Sequence, residues 1–203
     1  MVWQDRILDD GTDRERWLSV RATLPVIGAS DAATYARPGS VDKYAVAKLA
    51  TRHFGGTEFT RAGHRWEPMM LAWAGIPQNL ALIHSIEERH FGSTPDGLTV
   101  DGARLAECKV KHMQVIDGPD TGEWRQLAWH FLTVPEANES EFLWAELNRE
   151  GELRKDLRGE PKHLTVKRND PRIVKALNLI LPIAREVLEQ VVAALEFERQ
   201  LAS

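Results

Sequence analysis

Two carboxylates and a lysine lie on either side of an Asp-Gly pair in this sequence. Ten residues separate Asp96 from Glu107, and Lys109 follows two positions later. The Asp101-Gly102 pair is among the best two-residue type I′ turns, so we expect residues 93–111 to form a β-hairpin. With this turn at the tip, position 100 pairs with 103 and position 99 with 104. The same register sets Asp96 directly across from Glu107.

This register predicts a site for metal-dependent phosphodiester hydrolysis. Opposed strand residues have β-carbons about 4.5–5.5 Å apart, where like charges are destabilising. Mg²⁺ prefers oxygen ligands and would offset the repulsion between Asp96 and Glu107. Lys109 projects from the same strand face as Glu107, because side chains alternate along a strand. The metal would activate a water and neutralise the phosphate, and the lysine would orient that water or stabilise the developing charge. By itself, the pattern also fits a surface hairpin with solvated charges.

The elements around the hairpin indicate an α/β fold with a central mixed sheet flanked by helices. Residues 24–30 are expected to break the first helix, and Ser30 or Asp31 to cap the next one. Further strands are predicted over residues 80–86 and 163–167. The longer helices are predicted over 12–22 with Thr12 as cap, over roughly 43–53, from 63 through 73, over 123–133, and over 171–201 with a kink at Pro182.

Length and composition exclude several classes of protein. The 203 residues predict one domain, with N-terminal helices over 1–78, a catalytic sheet core over 79–170 and a C-terminal helix over 171–203. The net charge of −4 excludes a global attraction to nucleic acid. The only cysteine, Cys108, excludes internal disulfides and four-thiolate zinc sites. We expect a cytoplasmic protein, because no signal peptide or bilayer-spanning run is visible.

Five further motifs follow one another along the chain. They are WLSVR at 17–21, IGASDA at 27–32, GHRWEP at 63–68, STPDGL at 93–98 and LAECK at 105–109. Together they resemble the YqaJ-like viral recombinases, which are the phage lambda exonuclease family within the PD-(D/E)xK nucleases. The resemblance runs from about residue 17 to 111 and continues more faintly to the C-terminal helix.

The resemblance implies a fold, an activity and partners. The fold would have a restriction-endonuclease-like core. The activity would be 5′-to-3′ exonuclease digestion of double-stranded DNA, by hydrolysis of the two-metal type with Mg²⁺, for which Mn²⁺ substitutes. Such a protein would work beside a single-strand annealing protein in phage recombination, in a bacterial or phage-infected cell. Relatives form ring-shaped trimers through which duplex DNA can thread.

The resemblance also implies residue roles. Asp96 and Glu107 would be metal ligands, Lys109 the catalytic lysine, and Glu67 the helix-borne acid that completes the metal site. The residues implied around the terminal 5′-phosphate and the DNA are Arg21, Ser30, Thr94 and Gln126.

Two departures from the family pattern and two alternatives accompany this hypothesis. The spacing between Arg21 and Ser30 differs by two residues, and His130 lies four residues after Gln126, where the family has a tyrosine. A structure- or site-specific DNA endonuclease could use the same fold. So could a non-catalytic DNA-binding recombination protein, although the intact Asp96, Glu107 and Lys109 set argues against it.

Other polar residues have simpler interpretations. The histidines have no zinc-ligand spacing, so His64, His112 and His130 are interpreted as surface or polar-network residues. Residues 149–175 hold nine Lys and Arg against five Asp and Glu. This segment is interpreted as a solvated face or as a contact with the DNA backbone. The basic residues that could contact DNA are Arg154, Lys155, Arg158, Lys162, Lys167 and Arg168.

Overall fold

The computed structural model of the chain has helices on both faces of a four-stranded sheet. It describes residues 2–51, 58–115, 117–149, 151–152 and 161–202. The helices are α1 (Arg14–Thr23), α2 (Ala29–Thr34), α3 (Val41–Thr51), α4 (Glu58–Ala74), α5 (Thr121–Thr133) and α6 (Pro171–Ala202). The strands are β1 (Ile7–Asp9), β2 (Leu82–His84), β3 (Gly92–Ser93), β4 (Gly97–Leu98), β5 (Arg104–His112), β6 (Glu139–Leu147) and β7 (Lys162–Lys167).

The larger sheet has the strand order β4-β5-β6-β7. Strands β5 and β6 are parallel and are connected through α5, whereas β4 and β7 run antiparallel to their neighbours. Strands β1, β2 and β3 form a smaller antiparallel sheet. The prediction of an α/β fold with a central mixed sheet flanked by helices is therefore confirmed.

Helices α4 and α5 cover opposite faces of β5. Met70 of α4 packs in one apolar cluster with Ala106, whereas Leu127 of α5 belongs to the main core together with Leu105. Because successive strand residues point to opposite faces, the odd-numbered residues of β5 point towards α5. Helix α6 packs on α5 and α3 and completes the main core.

Strand β6 is absent from the sequence-based prediction, although it is the parallel partner of β5. Phe142, Leu143, Trp144 and Ala145 are consecutive and all buried. Both faces of this strand are covered, so its sequence lacks the alternation of apolar and polar residues that marks a half-exposed strand.

The predicted register of the β4-β5 hairpin is confirmed. Gly97 pairs with Ala106, and this register sets Asp96 opposite Glu107. Gly97 also lets the strand approach α4 closely, because a Cβ at this position would lie 2.7 Å from a methyl carbon of Leu71 and 2.9 Å from the Ala106 Cβ. The glycine that follows Asp96 therefore fixes this edge of the sheet against the helix.

The predicted type I′ turn at the hairpin tip is wrong. The Thr99 N–H donates to the Arg104 carbonyl at 3.0 Å, which leaves a four-residue loop. A type I′ turn requires positive φ at both central residues, but within this loop only Gly102 has a positive φ, of 75°. The Asp101 carboxylate accepts from the Thr99 hydroxyl at 2.6 Å and from the Ala103 N–H at 3.0 Å. These bonds hold the aspartate outside the left-handed conformation.

Two helix starts differ from the prediction. Asp13, not Thr12, caps α1, and its carboxylate accepts a backbone N–H at 3.0 Å. Gly28, not Ser30 or Asp31, is the cap of α2, and its N–H donates to Asp31 Oδ2 at 2.7 Å. The acid lies inside the first turn, where it bonds back to the cap residue.

Other helix boundaries also differ. Helix α4 begins at Glu58, five residues before the predicted start, and α6 continues through Pro182. The end predicted for α3, near residue 53, lies outside the described residues. None of the helices in the described part of the chain combines the length and apolar character needed to cross a membrane.

The basic segment 149–175 is only partly described. Lys162 donates to Glu146 at 2.9 Å, and Lys167 forms an ion pair with Glu139. Both lysines therefore have acidic partners on β6, and a contact between them and DNA stays a prediction. Three of the predicted DNA-contacting residues lie outside the described residues, namely Arg154, Lys155 and Arg158.

Arg168 binds the backbone where α5 leads into β6. Its guanidinium donates to the carbonyls of Phe131, Val134 and Ala137 at 2.7–3.0 Å, and it lies over the Phe131 ring at 5.1 Å. The Phe131 carbonyl lies in the last turn of α5, and the other two follow the helix end, where carbonyls lack donors from the helix itself. We therefore interpret Arg168 as a structural residue.

Replacing Arg168 with lysine tests this interpretation, because Arg168→Lys keeps the charge but loses the planar fork of donors. We expect the free energy of unfolding to fall by about 2–3 kcal/mol, while affinity for a DNA duplex at fixed salt is unchanged. Denaturant unfolding and fluorescence anisotropy measure the two quantities. A variant of normal stability with weakened DNA binding would contradict the interpretation.

Candidate active site

Asp96 lies at the start of β4, where the hairpin holds its carboxylate against β5. Its Oδ2 accepts from the Cys108 N–H at 2.7 Å. Its Oδ1 receives no hydrogen bond from the residues that the structure describes. Burial raises the pKa of Asp96 well above its ordinary value, and the nearby charges of Glu107 and Glu67 raise it further. Three carboxylates therefore concentrate negative charge at this edge of the sheet.

The Glu107 carboxylate accepts hydrogen bonds from three side chains. Its side chain is 2% exposed. Its Oε1 accepts from Lys109 Nζ at 2.5 Å and from Gln126 Nε2 at 2.6 Å, and its Oε2 accepts from His130 Nε2 at 2.8 Å. Burial alone would raise the pKa of Glu107, but Lys109 and His130 outweigh burial and hold it below its ordinary value. Glu107 is therefore ionised, and its charge is compensated within the site.

Strand β5 and helix α5 each contribute hydrogen-bond donors to Glu107. Lys109 is two residues from Glu107 on β5, as the predicted face alternation requires. Gln126 and His130 are one helical turn apart on α5 and face the strand together. Lys109 Nζ also donates to Gln126 Oε1 at 3.1 Å. The structure thus brings Gln126, expected near DNA, directly onto the catalytic lysine candidate.

Sequence reasoning did not identify His130 as a partner of Glu107. Its imidazole is 1% exposed, so the surface interpretation is wrong and the polar-network interpretation is right. Two features of the sequence draw attention to His130. It lies four residues after Gln126, which puts both on one helix face, and it occupies the position where the family has a tyrosine. Neither identifies the strand residue that the helix faces.

Glu67 contributes to the site from α4, on the other side of the sheet. It is 9% exposed, and its Oε1 accepts from Gln78 Nε2 at 2.9 Å. Its charge reaches Asp96 and contributes to the raised pKa of that carboxyl. The structure therefore brings together Asp96, Glu107 and Lys109, whereas Glu67 lies on the other side of the sheet, within range for its charge to act on Asp96.

The donor set suits a hard cation with few protein ligands. Among the described residues, no group of three or more His, Cys, Asp and Glu side chains is arranged to hold a metal ion by itself. Mg²⁺ is usually bound through one or two carboxylates, with waters and substrate phosphate completing its shell. Asp96 and Glu107 fit that requirement. The role of Glu67 as a further ligand stays a prediction.

A second polar group lies where α1 and α2 meet. The Arg21 guanidinium lies 4.6 Å from the centroid of the Trp17 ring. Burial lowers the pKa of Arg21, and the charge of Asp31 partly opposes that change. A Cβ at Gly28 would lie 3.3 Å from Arg21 Nη2 and 3.9 Å from Ser30 Oγ. Arg21 and Ser30 therefore border the space that the glycine leaves open.

Lys48 of α3 also belongs to this second group, and sequence reasoning missed it. It is 7% exposed, and its Nζ donates to Asp31 Oδ2 at 2.7 Å. Burial lowers the pKa of Lys48, and Asp31 opposes that change. Asp31 thus faces two cations, the buried Lys48 and the half-buried Arg21. Nothing in the sequence of α3 distinguishes this lysine from the exposed ones.

Helix α5 connects the two groups. Arg125 Nε donates to the Ala33 carbonyl of α2 at 2.8 Å, and the next residue, Gln126, contacts Glu107.

Thr94 lies two residues before Asp96. Its hydroxyl is buried and has no hydrogen-bond partner in the described part of the chain. Its predicted place beside the site is consistent with this position, and its role stays a prediction.

Comparisons with known proteins support the fold. No family model matches the chain, and no curated protein matches it. An alkaline exonuclease from Laribacter hongkongensis, LHK-Exo, superposes with a TM-score of 0.64 and 18% identity, over 92% of this chain and 99% of that chain. Its complex with dAMP gives a TM-score of 0.61 over the same shares. A phage-related exonuclease from Haemophilus somnus 129PT gives 0.50 and 13% identity, over 78% and 83%. The predicted restriction-endonuclease-like fold is confirmed.

The raised pKa of Asp96 predicts that this carboxylate destabilises the metal-free fold. A folded-state pKa above the unfolded value means that ionisation costs stability, so the cost is absent well below the ordinary pKa of 3.8 and grows as the pH rises towards the folded-state pKa. Asp96→Asn keeps an acceptor for the Cys108 N–H but removes the charge. We expect the free energy of unfolding in EDTA to be higher for Asp96→Asn than for wild type at pH 8, and nearly equal for the two proteins near pH 3.5.

Asp101→Asn at the hairpin tip is the matched control, because two hydrogen bonds lower the pKa of that exposed carboxyl. It should bring no gain of stability at pH 8. Denaturant unfolding at both pH values measures these differences. An Asp96→Asn variant that is less stable than wild type at pH 8, or equally shifted at both pH values, would contradict the electrostatic account.

Proposed function

We propose that this chain is a metal-dependent deoxyribonuclease of the YqaJ-like, phage lambda exonuclease family that degrades double-stranded DNA from its 5′ ends. The observation that carries the proposal is the meeting of Asp96, Glu107 and Lys109 at one sheet edge of a fold shared with exonucleases. The ordered sequence motifs support the family, and the polar group around Arg21 supports the reading of a DNA end.

Asp96 and Glu107 would hold Mg²⁺, with Glu67 as a further carboxylate. When bound, the metal lowers the pKa of a coordinated water and neutralises charge on the phosphate. Asp96 presents an oxygen without a hydrogen bond from the described residues, and Glu107 is kept ionised by its donors. A cation here would also relieve the repulsion that raises the pKa of Asp96.

Lys109 acts as a fixed positive charge in this proposal. Burial alone would lower the pKa of Lys109, but Glu107 and Asp96 outweigh burial and raise it above its ordinary value. In the metal-free site the side chain therefore keeps its proton. As a water oxygen attacks phosphorus and the bond from phosphorus to the 3′ oxygen breaks, negative charge grows on the phosphoryl and leaving oxygens. Lys109 stabilises that charge.

Arg21 and Ser30 would bind the terminal 5′-phosphate. The space at Gly28 lies between their side chains, and a guanidinium binds phosphate through two parallel hydrogen bonds. Breaking the bond to the 3′ oxygen leaves a new 5′-phosphate on the shortened strand. The same group can therefore receive each new end, which suits repeated digestion from the 5′ side.

The biological setting belongs to the same proposal. A single-strand annealing protein as partner, a trimeric ring around the duplex and a role in phage recombination rest on the family resemblance. Cleavage with Mn²⁺ in place of Mg²⁺ follows from the oxygen ligands, since both cations accept carboxylate and water.

The catalytic assignment predicts the effect of three near-isosteric substitutions. Asp96→Asn, Glu107→Gln and Lys109→Met should each lower the rate of linear duplex digestion by about 10²-fold or more, because each removes charge that stabilises the transition state. Excess EDTA should abolish digestion by wild type. Release of acid-soluble nucleotides measures the rate. Lys43→Met and Glu189→Gln, exposed on α3 and α6, are charge-matched controls that should leave it unchanged. Near-normal turnover by any of the three site variants would refute the assignment.

The end-reading role of Arg21 predicts a preference for phosphorylated ends. Wild type should digest 5′-phosphorylated duplexes faster than 5′-hydroxyl duplexes. Arg21→Ala should reduce that preference roughly 10-fold or more, because a hydrogen bond to a charged group contributes about 1.5–3 kcal/mol. Initial rates on the two substrates give the ratio. Arg14→Ala, an exposed arginine at the start of the same helix, should keep it. Equal rates on both ends with wild type would exclude the role.

A further inference from the structure

Among the described residues, the side chain of His130 forms a hydrogen bond with one residue only, Glu107 of the proposed metal site. Its Nε2 lies 2.8 Å from Glu107 Oε2, and both side chains are at most 2% exposed. Its Nδ1 is buried and has no partner in the described part of the chain. A polar ring with one unmatched nitrogen costs stability when buried. Packing alone would favour an apolar residue at this place.

The direction of this hydrogen bond follows from its acceptor. An ionised carboxylate only accepts hydrogen bonds. The Nε2 atom of His130 therefore carries a proton and donates the hydrogen bond to Glu107. This bond fixes the orientation of the imidazole.

The donors on Glu107 are divided unequally between its two oxygens. Oε1 accepts from Lys109 and from Gln126, which together use both of its acceptor positions. Oε2 accepts from His130 and keeps one acceptor position. Without His130, the carboxylate plane would be held through Oε1 alone, and Oε2 could rotate.

We infer that His130 is a positioning residue that orients Glu107 Oε2 for metal binding. This inference rests on the proposed function, because it assumes that Glu107 ligates a metal. His130 would not touch the metal or the DNA. It acts through the carboxylate, as partners of ligating residues commonly do, and loss of such partners typically lowers metal affinity roughly 10–100-fold.

The test compares variants that differ in the reach of one donor. The amide nitrogen of glutamine extends to the place of Nε2, whereas that of asparagine extends only to the place of Nδ1. His130→Gln should therefore keep the bond to Glu107, and His130→Asn should lose it at equal polarity. His130→Phe removes the donor but keeps most of the volume. Thr133→Val, a buried hydroxyl on the same helix that bonds Ser93, controls for general loss of polar contacts in α5.

Two readouts are measured on the full chain. Calorimetric titration with Mn²⁺ should give a dissociation constant roughly 10–100-fold weaker for His130→Phe and His130→Asn, with His130→Gln and Thr133→Val close to wild type. The Mg²⁺ concentration for half-maximal digestion should follow the same order, while the KM for DNA stays constant. Circular dichroism melting establishes that each variant is folded at the assay temperature.

The outcomes separate this inference from the proposed function. If wild type digests DNA but all His130 variants bind Mn²⁺ equally, or glutamine is as weak as asparagine, the positioning role is overturned and the function stands. If wild type binds Mn²⁺ in the expected order but digests no DNA, the proposed function fails and the positioning role stands. If wild type binds no Mn²⁺, both are overturned.

Discussion

The carboxylate of Glu107 is a negative charge buried on a central strand, and the arrangement around it follows from the need to compensate that charge. Lys109 supplies a cation from the same strand, and Gln126 and His130 supply donors from α5. These donors are within reach because α5 connects the parallel strands β5 and β6 and lies across the face of β5. The crossover that forms the sheet therefore also places the partners of the acid.

Asp96 has the opposite electrostatic character. Its partner is a backbone N–H, and its pKa is raised by burial and by two neighbouring acids. The close approach at Gly97 presses this strand against α4 and keeps the carboxylates together. The site thus combines one compensated acid with one uncompensated acid. Binding a cation would stabilise the fold at the point where DNA would be cut, which links stability to activity.

Local patterns predicted the parts of the site that depend on one hairpin. The register through Asp96 and Glu107, and the shared face of Glu107 and Lys109, follow from alternation on either side of the loop. Contacts between distant segments could not be read in this way. The centre of strand β6, residues 142–145, is a continuous apolar run buried on both faces, so it shows no alternation. The contact of His130 with Glu107 depends on where α5 crosses the sheet. The prediction of a type I′ turn was wrong because the hydrogen bonds of Asp101 favour a conformation other than the left-handed one that this turn requires.

Digestion of matched linear and closed circular duplexes of the same sequence tests whether the chain is a metal-dependent exonuclease that acts from 5′ ends. With Mg²⁺, we expect release of mononucleotides from the linear form, with a label at the 5′ end lost first, and an intact circle. The endonuclease alternative predicts nicking or linearisation of the circle. Cutting of the circle, early loss of a 3′ label, or equal digestion in EDTA would contradict the account.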